Sequence, residues 1–474
     1  MTTTPSYQQT IPGIMNVLQL FHQAKLSYIL FKCEHIFAGE NKNADILFET
    51  DDDYGQAARL LEQQGWALRF SERFEKYKLM YCGFADIGKE KTFHFIHLHR
   101  EIAWHGIKAL DKKWVFERKK IVTPLIVVPS LEDSILIHAA HVLFENFKVT
   151  EKERPFLNQF LDQNRSKNGD PKRDKKDLKP MDRKYLQQQL THHKWKGGFV
   201  SVLKYKDSPT LPPGSITATW IKKLVQEPAT AAYVGMKIAQ KIFRPLQWKR
   251  RGCLIAFIGV NGSGKSTLAR KTLEQYQPLT RHLGKKQQSY YFGWQPEFPL
   301  TKLLSRILQK NDKKLFQEIN FVTKSKKFDL FQELLFIYLF FEFYYRYVCH
   351  LRPQLRQGNL IITDRYFYDL YGQYPYAGNS FLIKPLLHLF PKPDFTYLLD
   401  LEVEKLRKRG KINREAGKEI TAIERKIYPY DYLQQQRENY LFLQRYLSTR
   451  YLHTAMDIQQ CTTTIILESW RKLL

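Results

Sequence analysis

Residues 254–270 read LIAFIGVNGSGKSTLAR, and they decide the fold of the second half of the chain. Within them Gly259, Val260, Asn261, Gly262, Ser263, Gly264, Lys265 and Ser266 complete the phosphate-loop pattern G-x-x-x-x-G-K-[ST]. The context agrees with the letters. The apolar run 254–258 suits a buried parallel strand. Beyond the loop, Leu268, Thr272, Leu273 and Tyr276 recur at helical spacing, so a helix follows. Strand, glycine loop and helix N-terminus together build an anion site, because unpaired N–H groups and the positive end of the helix dipole converge there. Glycine is required where the backbone must take positive φ and approach phosphate closely. In such a loop Lys265 reaches the β- and γ-phosphates of ATP, and the Ser266 hydroxyl holds Mg²⁺. Gly259, Asn261, Gly262, Ser263, Gly264 and Thr267 line the same nucleotide cradle. The competing reading is a chance match on a turn before a helix, and the flanking patterns weigh against it.

The 474 residues exceed one ordinary core, so two or three domains are expected. Hydrophobic content of 43% is enough to bury real cores and excludes a disordered chain. Cys33, Cys82, Cys253, Cys349 and Cys461 show no C-x-x-C spacing. That argues against a zinc ribbon or a disulfide framework and fits a reducing cytoplasm, the expected location. The opening MTTTPSYQQTIPGI lacks the basic-then-apolar pattern of a signal peptide. The longest apolar run, 334–341, is too short to span a bilayer and is stopped by Glu342. A formal net charge of +28 suggests anionic company: nucleotide, nucleic acid or an acidic membrane surface. A solvated basic surface explains it equally well.

Toward the N-terminus, Ile14, Val17, Leu18, Phe21 and Leu26 mark an amphipathic helix. Strands are expected at 28–32 and 44–49, a helix at 54–64 closing on Gly65, and an alternating strand at 92–100. His94, His97, His99 and His105 invite a metal reading, and His97 and His99 fall on one strand face. With no Cys or acid at ligand spacing, half-buried histidines with backbone partners are preferred. Ser130 and Asp133 form a capping pattern before a helix over 131–147, in which His138 and His141 read as packing or hinge residues. The charged stretch 165–184 is a surface loop, and no aromatic is interleaved there to stack nucleic-acid bases. One or two connecting helices are expected over 219–248.

Toward the C-terminus, an apolar strand at 360–363 ends on Asp364, where Mg²⁺ beside a phosphate loop needs a second negative partner. Arg365 follows, suited to a bidentate grip on phosphate. A further strand covers 393–400. Arg407, Arg409 and Arg414 lie in a basic segment around Gly410 that suits a closing lid. The aromatic stretch 336–347 reads as a helix packed on the sheet rather than a base-stacking box. Residues 440–451 read as a covering helix, and 462–467 as a short strand or a helix start.

At the loop GVNGSGKST, at Asp364-Arg365-Tyr366 and at Asp394 leading to Asp400, residues 250–474 resemble the thymidylate kinase family. The resemblance implies a doubly wound α/β P-loop NTPase fold with five parallel strands. It implies transfer of the ATP γ-phosphate to a nucleoside monophosphate or related phosphorylated acceptor, with Mg²⁺. Carried over by position, Lys265, Asp364, Arg365 and Arg409 are catalytic, and Ser266 with Asp364 holds the metal. Departures fall on the acceptor side. Asn261 stands where many members place an acid, Phe343 where an arginine is expected, with Arg346 nearly one turn on. Asp369 replaces a serine, and Gly372-Gln373-Tyr374 replaces the usual Ala-Tyr-Gln.

The first third, with its 28–32 strand, Asp45, the helix leading to Gly65-Trp66 and the strand ending at His99, resembles a nucleotidyltransferase-like domain. Active members hold two Mg²⁺ ions on a D-x-D pair and a third carboxylate. Here the pair reads Asn43-Ala44-Asp45, with His97 and His99 on the later strand, which implies an inactive α+β domain with a helical extension. The resulting division is 1–215 for that domain, 216–249 for a helical linker and 250–474 for the kinase-like domain. The alternative function is a regulatory ATPase in which ATP governs the non-catalytic N-terminal domain. A nucleotide or small phosphorylated acceptor is the favoured partner, nucleic acid is less favoured, and homodimerisation stays open.

Overall fold

The computed structural model describes residues 12–31, 43–70, 76–87, 90–151, 153–165, 182–208, 210–226, 228–243, 252–293, 297–307, 330–373, 377–406, 408, 430–447 and 449–474. The chain divides into two compact units, Thr10–Arg244 and Pro245–Leu474.

The first unit is built on a mixed sheet of β1 (Tyr28–Phe31), β2 (Asn43–Phe48), β3 (Ala67–Phe70), β4 (Lys78–Ile87) and β5 (Glu90–His99), in the order β1-β2-β5-β4-β3. β2 and β5 run parallel and the other pairs antiparallel. Strand alternation splits β1 between two cores. Tyr28 and Leu30 pack with the helices Ile14–Gln23 and Asp51–Gln63, whereas Ile29 and Phe31 pack with the helix Leu131–His141. The second helix starts at Asp51 rather than at the expected 54. Thr50 Oγ1 accepts the Asp53 N–H at 3.0 Å, and three aspartates occupy the positive end of the dipole. Ser130 caps the helix at 131 as its pattern implied, accepting the Asp133 N–H at 3.2 Å. That helix turns into a π-turn at Val142–Asn146 and ends at Phe147, φ 55°. His138 stacks on Phe156, centroids 4.0 Å apart. Two short antiparallel hairpins also belong to this unit, β6 (Ile102–Trp104) with β7 (Ile107–Leu110) and β8 (Lys120–Thr123) with β9 (Ile126–Val128). Helices at Pro213–Gln226 and Pro228–Phe243 cluster with this unit.

The reading of His97 and His99 as histidines with backbone partners is corrected. Asp45 on β2 is the register partner of His97 on β5, and its carboxylate meets both imidazoles. Strand pairing supplies the acid that linear spacing lacks.

The second unit carries β10 (Cys253–Ile258), β11 (Gln287–Tyr291), β12 (Leu360–Asp364), β13 (Phe395–Asp400) and β14 (Arg450–His453), all parallel, in the order β11-β12-β10-β13-β14. Leu254, Ala256 and Ile258 face a core shared with Phe336, Leu339, Phe343 and Tyr347 of the helix Leu330–Arg346 and its π-turn extension. The aromatic stretch is therefore core, each fully buried ring or leucine adding about 1.5–3 kcal/mol. On the other face lie the helices Lys265–His282 and Ile458–Ser469, joined by Tyr276 Oη to Ser469 Oγ at 2.6 Å. The expected helix over 440–451 instead stops at Tyr446, and Arg450–His453 pairs with β13 as an edge strand. Residues 462–467 lie inside the last helix, which Asp457 caps. Strand order reverses at β10, and a doubly wound sheet opens its crevice at the carboxyl ends of the strands at such a point.

Candidate active site

The phosphate loop leaves the carboxyl end of β10 and enters the helix at Lys265. Gly259 has φ +144°, and a Cβ there would sit 2.4 Å from the Leu399 carbonyl oxygen on β13. Gly264 precedes the helix with φ +96°, a left-handed turn that only glycine takes without strain. Lys265 folds back over the loop and donates to the carbonyls of Gly259 at 3.0 Å and Val260 at 2.8 Å. Burial, reinforced by Arg365 and opposed by Asp364 and Asp369, lowers its pKa to about 8. Ser263 Oγ is buried and lacks a partner among the described residues, Gly262 is exposed, and Thr267 is exposed at the third helical position.

Asp364 ends β12 in register with Phe257 on β10, which brings it to the loop mouth. Ser266 Oγ donates to Asp364 Oδ2, while Asp364 Oδ1 is buried without a partner among the described residues. A hydroxyl and a carboxylate with one oxygen unspent suit a hard divalent cation such as Mg²⁺. A cavity of about 350 Å³ opens beside them, with Arg270, Gln287 and Tyr291 among its walls.

Arg365 takes φ 77°, rare for a non-glycine residue, and is nearly buried. Its Nη2 donates to Asn261 Oδ1, and Nη1 lies 3.7 Å from Asp369 Oδ2. Asp369 also accepts the Tyr366 N–H at 3.1 Å and the Tyr440 hydroxyl. Burial disfavours charge on Arg365, but Asp369 overrides it and the guanidinium stays charged. Burial raises the Asp369 pKa, with Arg365 and Lys265 opposing.

Residues 257–463 match the family model for thymidylate kinase. The C-terminal region holds a thymidylate kinase domain. Over 177 residues the chain is 28% identical to a "Probable thymidylate kinase 2" of Saccharolobus solfataricus, spanning 36% of this chain and 72% of that protein. Over 216 residues it is 26% identical to a "Probable thymidylate kinase" of Metallosphaera sedula, 44% of this chain and 88% of that protein. The solved structure of a thymidylate kinase from Candida albicans aligns at 20% identity over 48% of this chain and 95% of that chain, TM-score 0.32.

Within the thymidylate kinase domain, several polar residues serve the scaffold. Arg346 donates to the carbonyls of Gly293 at 2.7 Å and Tyr291 at 3.0 Å and lies over the rings of Phe292 and Phe343. It thus holds the end of β11 and is not free to replace the arginine missing at 343. Asp400 accepts both Arg437 Nε and Nη2 at 2.8 Å and the Tyr451 hydroxyl at 2.7 Å. Asp394 accepts the Leu254 N–H at 2.8 Å and anchors the start of β10. Arg407, Arg409 and Arg414 lie outside the described residues. Tyr440, whose hydroxyl fixes Asp369 from 71 positions away, carried no local signal.

No helix among the described residues is long and apolar enough to cross a membrane.

Proposed function

We propose that the thymidylate kinase domain is an ATP-dependent phosphotransferase acting on a nucleoside monophosphate or a related phosphorylated acceptor. The observation that carries this reading is Ser266 against Asp364 at the mouth of the phosphate loop, with one Asp364 oxygen unspent. Backbone N–H groups from Gly259 to Thr267 cradle the phosphates, and Lys265 swings from its carbonyl partners to them. Ser266 and Asp364 would hold Mg²⁺, which would supply charge neutralisation at the transferred group. Arg365 holds the acceptor phosphate for in-line attack, and positioning supplies most of the rate. Arg409 is assigned to the lid on sequence spacing alone.

The test is ADP release from Mg·ATP across deoxythymidine and other nucleoside monophosphates and several sugar phosphates. Acceptor-dependent ADP that disappears in Lys265→Ala supports the reading. Commitment of Arg346 to backbone carbonyls favours a second one, a binding or regulatory ATPase. It is distinguished by ATP turnover that no acceptor on the panel raises. We infer that residues 1–215 form a nucleotidyltransferase-like module without activity, because Asn43 occupies the place of its first acid. Nucleotidyl transfer by the Lys265→Ala protein would overturn that.

A further inference from the structure

Asp45, His97 and His99 stand apart from the phosphate-loop chemistry, in the first unit. His97 Nδ1 lies 2.9 Å from Asp45 Oδ1, and His99 Nε2 lies 3.0 Å from the same oxygen. One donor atom from each residue comes within 4.8 Å of the other two. The arrangement follows from two backbone rules. Residues two apart on β5 share a face, and parallel pairing with β2 sets Asp45 opposite His97.

Metal–nitrogen and metal–oxygen bonds of about 2.0–2.2 Å put adjacent ligands roughly 2.9–3.5 Å apart at octahedral to tetrahedral angles. The two imidazole–carboxylate separations fall in that range. His99 is buried and held edge-on by Phe31, centroids 4.6 Å apart, so its ring is already oriented. The side chains of His97 and Asp45 keep 10% and 11% exposure, which leaves an approach from solvent. Glu145 on the π-turn and Lys78, the register partner of His99, are the further charged groups that act on these rings.

We propose that Asp45, His97 and His99 bind one divalent transition-metal ion of the zinc class. Two imidazoles select against Mg²⁺ and Ca²⁺, which favour oxygen ligands. Three protein ligands leave a further coordination position open, as in zinc sites that take a water or a substrate rather than in closed structural sites. This proposal is independent of the kinase reading.

The test uses the full chain, stripped of metal by chelator and dialysed against Zn²⁺ in the presence of excess Mg²⁺. Bound zinc is then measured by mass spectrometry of the metal. One zinc per chain is expected, with affinity at least about tenfold weaker in Asp45→Asn and in His97→Gln. Co²⁺ in place of Zn²⁺ should give visible ligand-field bands that both variants lose. Far-UV circular dichroism and the urea-unfolding transition of each variant, set beside wild type, are the control for folding of the first unit. Should His97→Gln fail to fold, the near-isosteric Asp45→Asn decides alone. Equal zinc and unchanged Co²⁺ bands in wild type and Asp45→Asn would mean surface histidines only and would overturn the proposal, as would absence of binding to the wild type.

Discussion

Replacing Lys265 with methionine should erase a rise in stability that the nucleotide-free protein shows between pH 8 and pH 10.5. In the fold Lys265 is 5% exposed and burial lowers its pKa from the ordinary 10.5 to about 8. Below pH 8 the group is protonated in both folded and unfolded chains, and above pH 10.5 it is neutral in both. Between those limits the unfolded chain binds the additional proton, so stability rises with pH. At about 1.36 kcal/mol per pH unit, the difference between 10.5 and 8 amounts to about 3 kcal/mol, of which roughly 2 kcal/mol accrues by pH 9.5. Urea unfolding of wild type and Lys265→Met at pH 7.5 and 9.5 isolates the effect, because groups common to both proteins cancel in the difference. Saturating Mg·ATP should abolish the rise in wild type, since phosphate charge keeps Lys265 protonated. Parallel pH profiles for the two nucleotide-free proteins would refute the burial argument.

Asp364→Asn should weaken Mg·ATP binding at least about tenfold, roughly 1.4 kcal/mol, and leave metal-free ATP binding nearly unchanged by calorimetry. Asp369→Asn breaks a buried ion pair and should cost about 3–5 kcal/mol in urea unfolding. Tyr440→Phe removes one hydrogen bond to the same carboxylate and should cost about 1.5–3 kcal/mol. A loss below about 1 kcal/mol for Asp369→Asn would show that Arg365 does not depend on it. Gly259→Ala meets both φ +144° and the Leu399 carbonyl, so it should lose about 1–3 kcal/mol from backbone strain alone, read as a lower melting temperature and weaker ATP binding.

The strand, loop and helix of the candidate donor half are legible in the sequence because such a phosphate cradle is a local structure. The loop, its strand and its helix are contiguous, and the motif gives their geometry together. Asp364 was legible for a related reason: an apolar strand ending on an acid places that acid at the carboxyl edge of a parallel sheet. The partners of Arg365 were not legible. Asn261 precedes it by 104 positions and Tyr440 follows Asp369 by 71, so only the packed fold joins them. Edge strands were equally hidden. β11, QQSYY, and β14, RYLH, are largely exposed, and neither shows the apolar run that betrayed β10 and β12. Asp45 escaped as a partner of His97 because spacing along one strand says nothing about the register of the next.

The same distinction separates what the donor and acceptor sides ask of the chain. On the proposed reading ATP would be gripped largely by backbone N–H groups, which any sequence with the right glycines supplies. An acceptor would have to be recognised by side chains, and the candidates named above are already engaged. Arg346 is spent on two carbonyls, and Arg365 is shared between Asn261 and Asp369. Asn261 is neutral, so of these two partners only Asp369 opposes the charge of Arg365. A phosphate arriving at Arg365, as proposed, would therefore have only a neutral amide to displace, while Asp369, itself held by Tyr440, stays beside the guanidinium. Binding an anion beside Arg365 costs the exchange of one neutral hydrogen bond for a charge-assisted one, which is roughly twice as strong. On the proposed phosphotransferase reading, that asymmetry would make Arg365 the residue through which a phosphorylated acceptor gains its hold, and the commitment of Arg346 would narrow which acceptor that is.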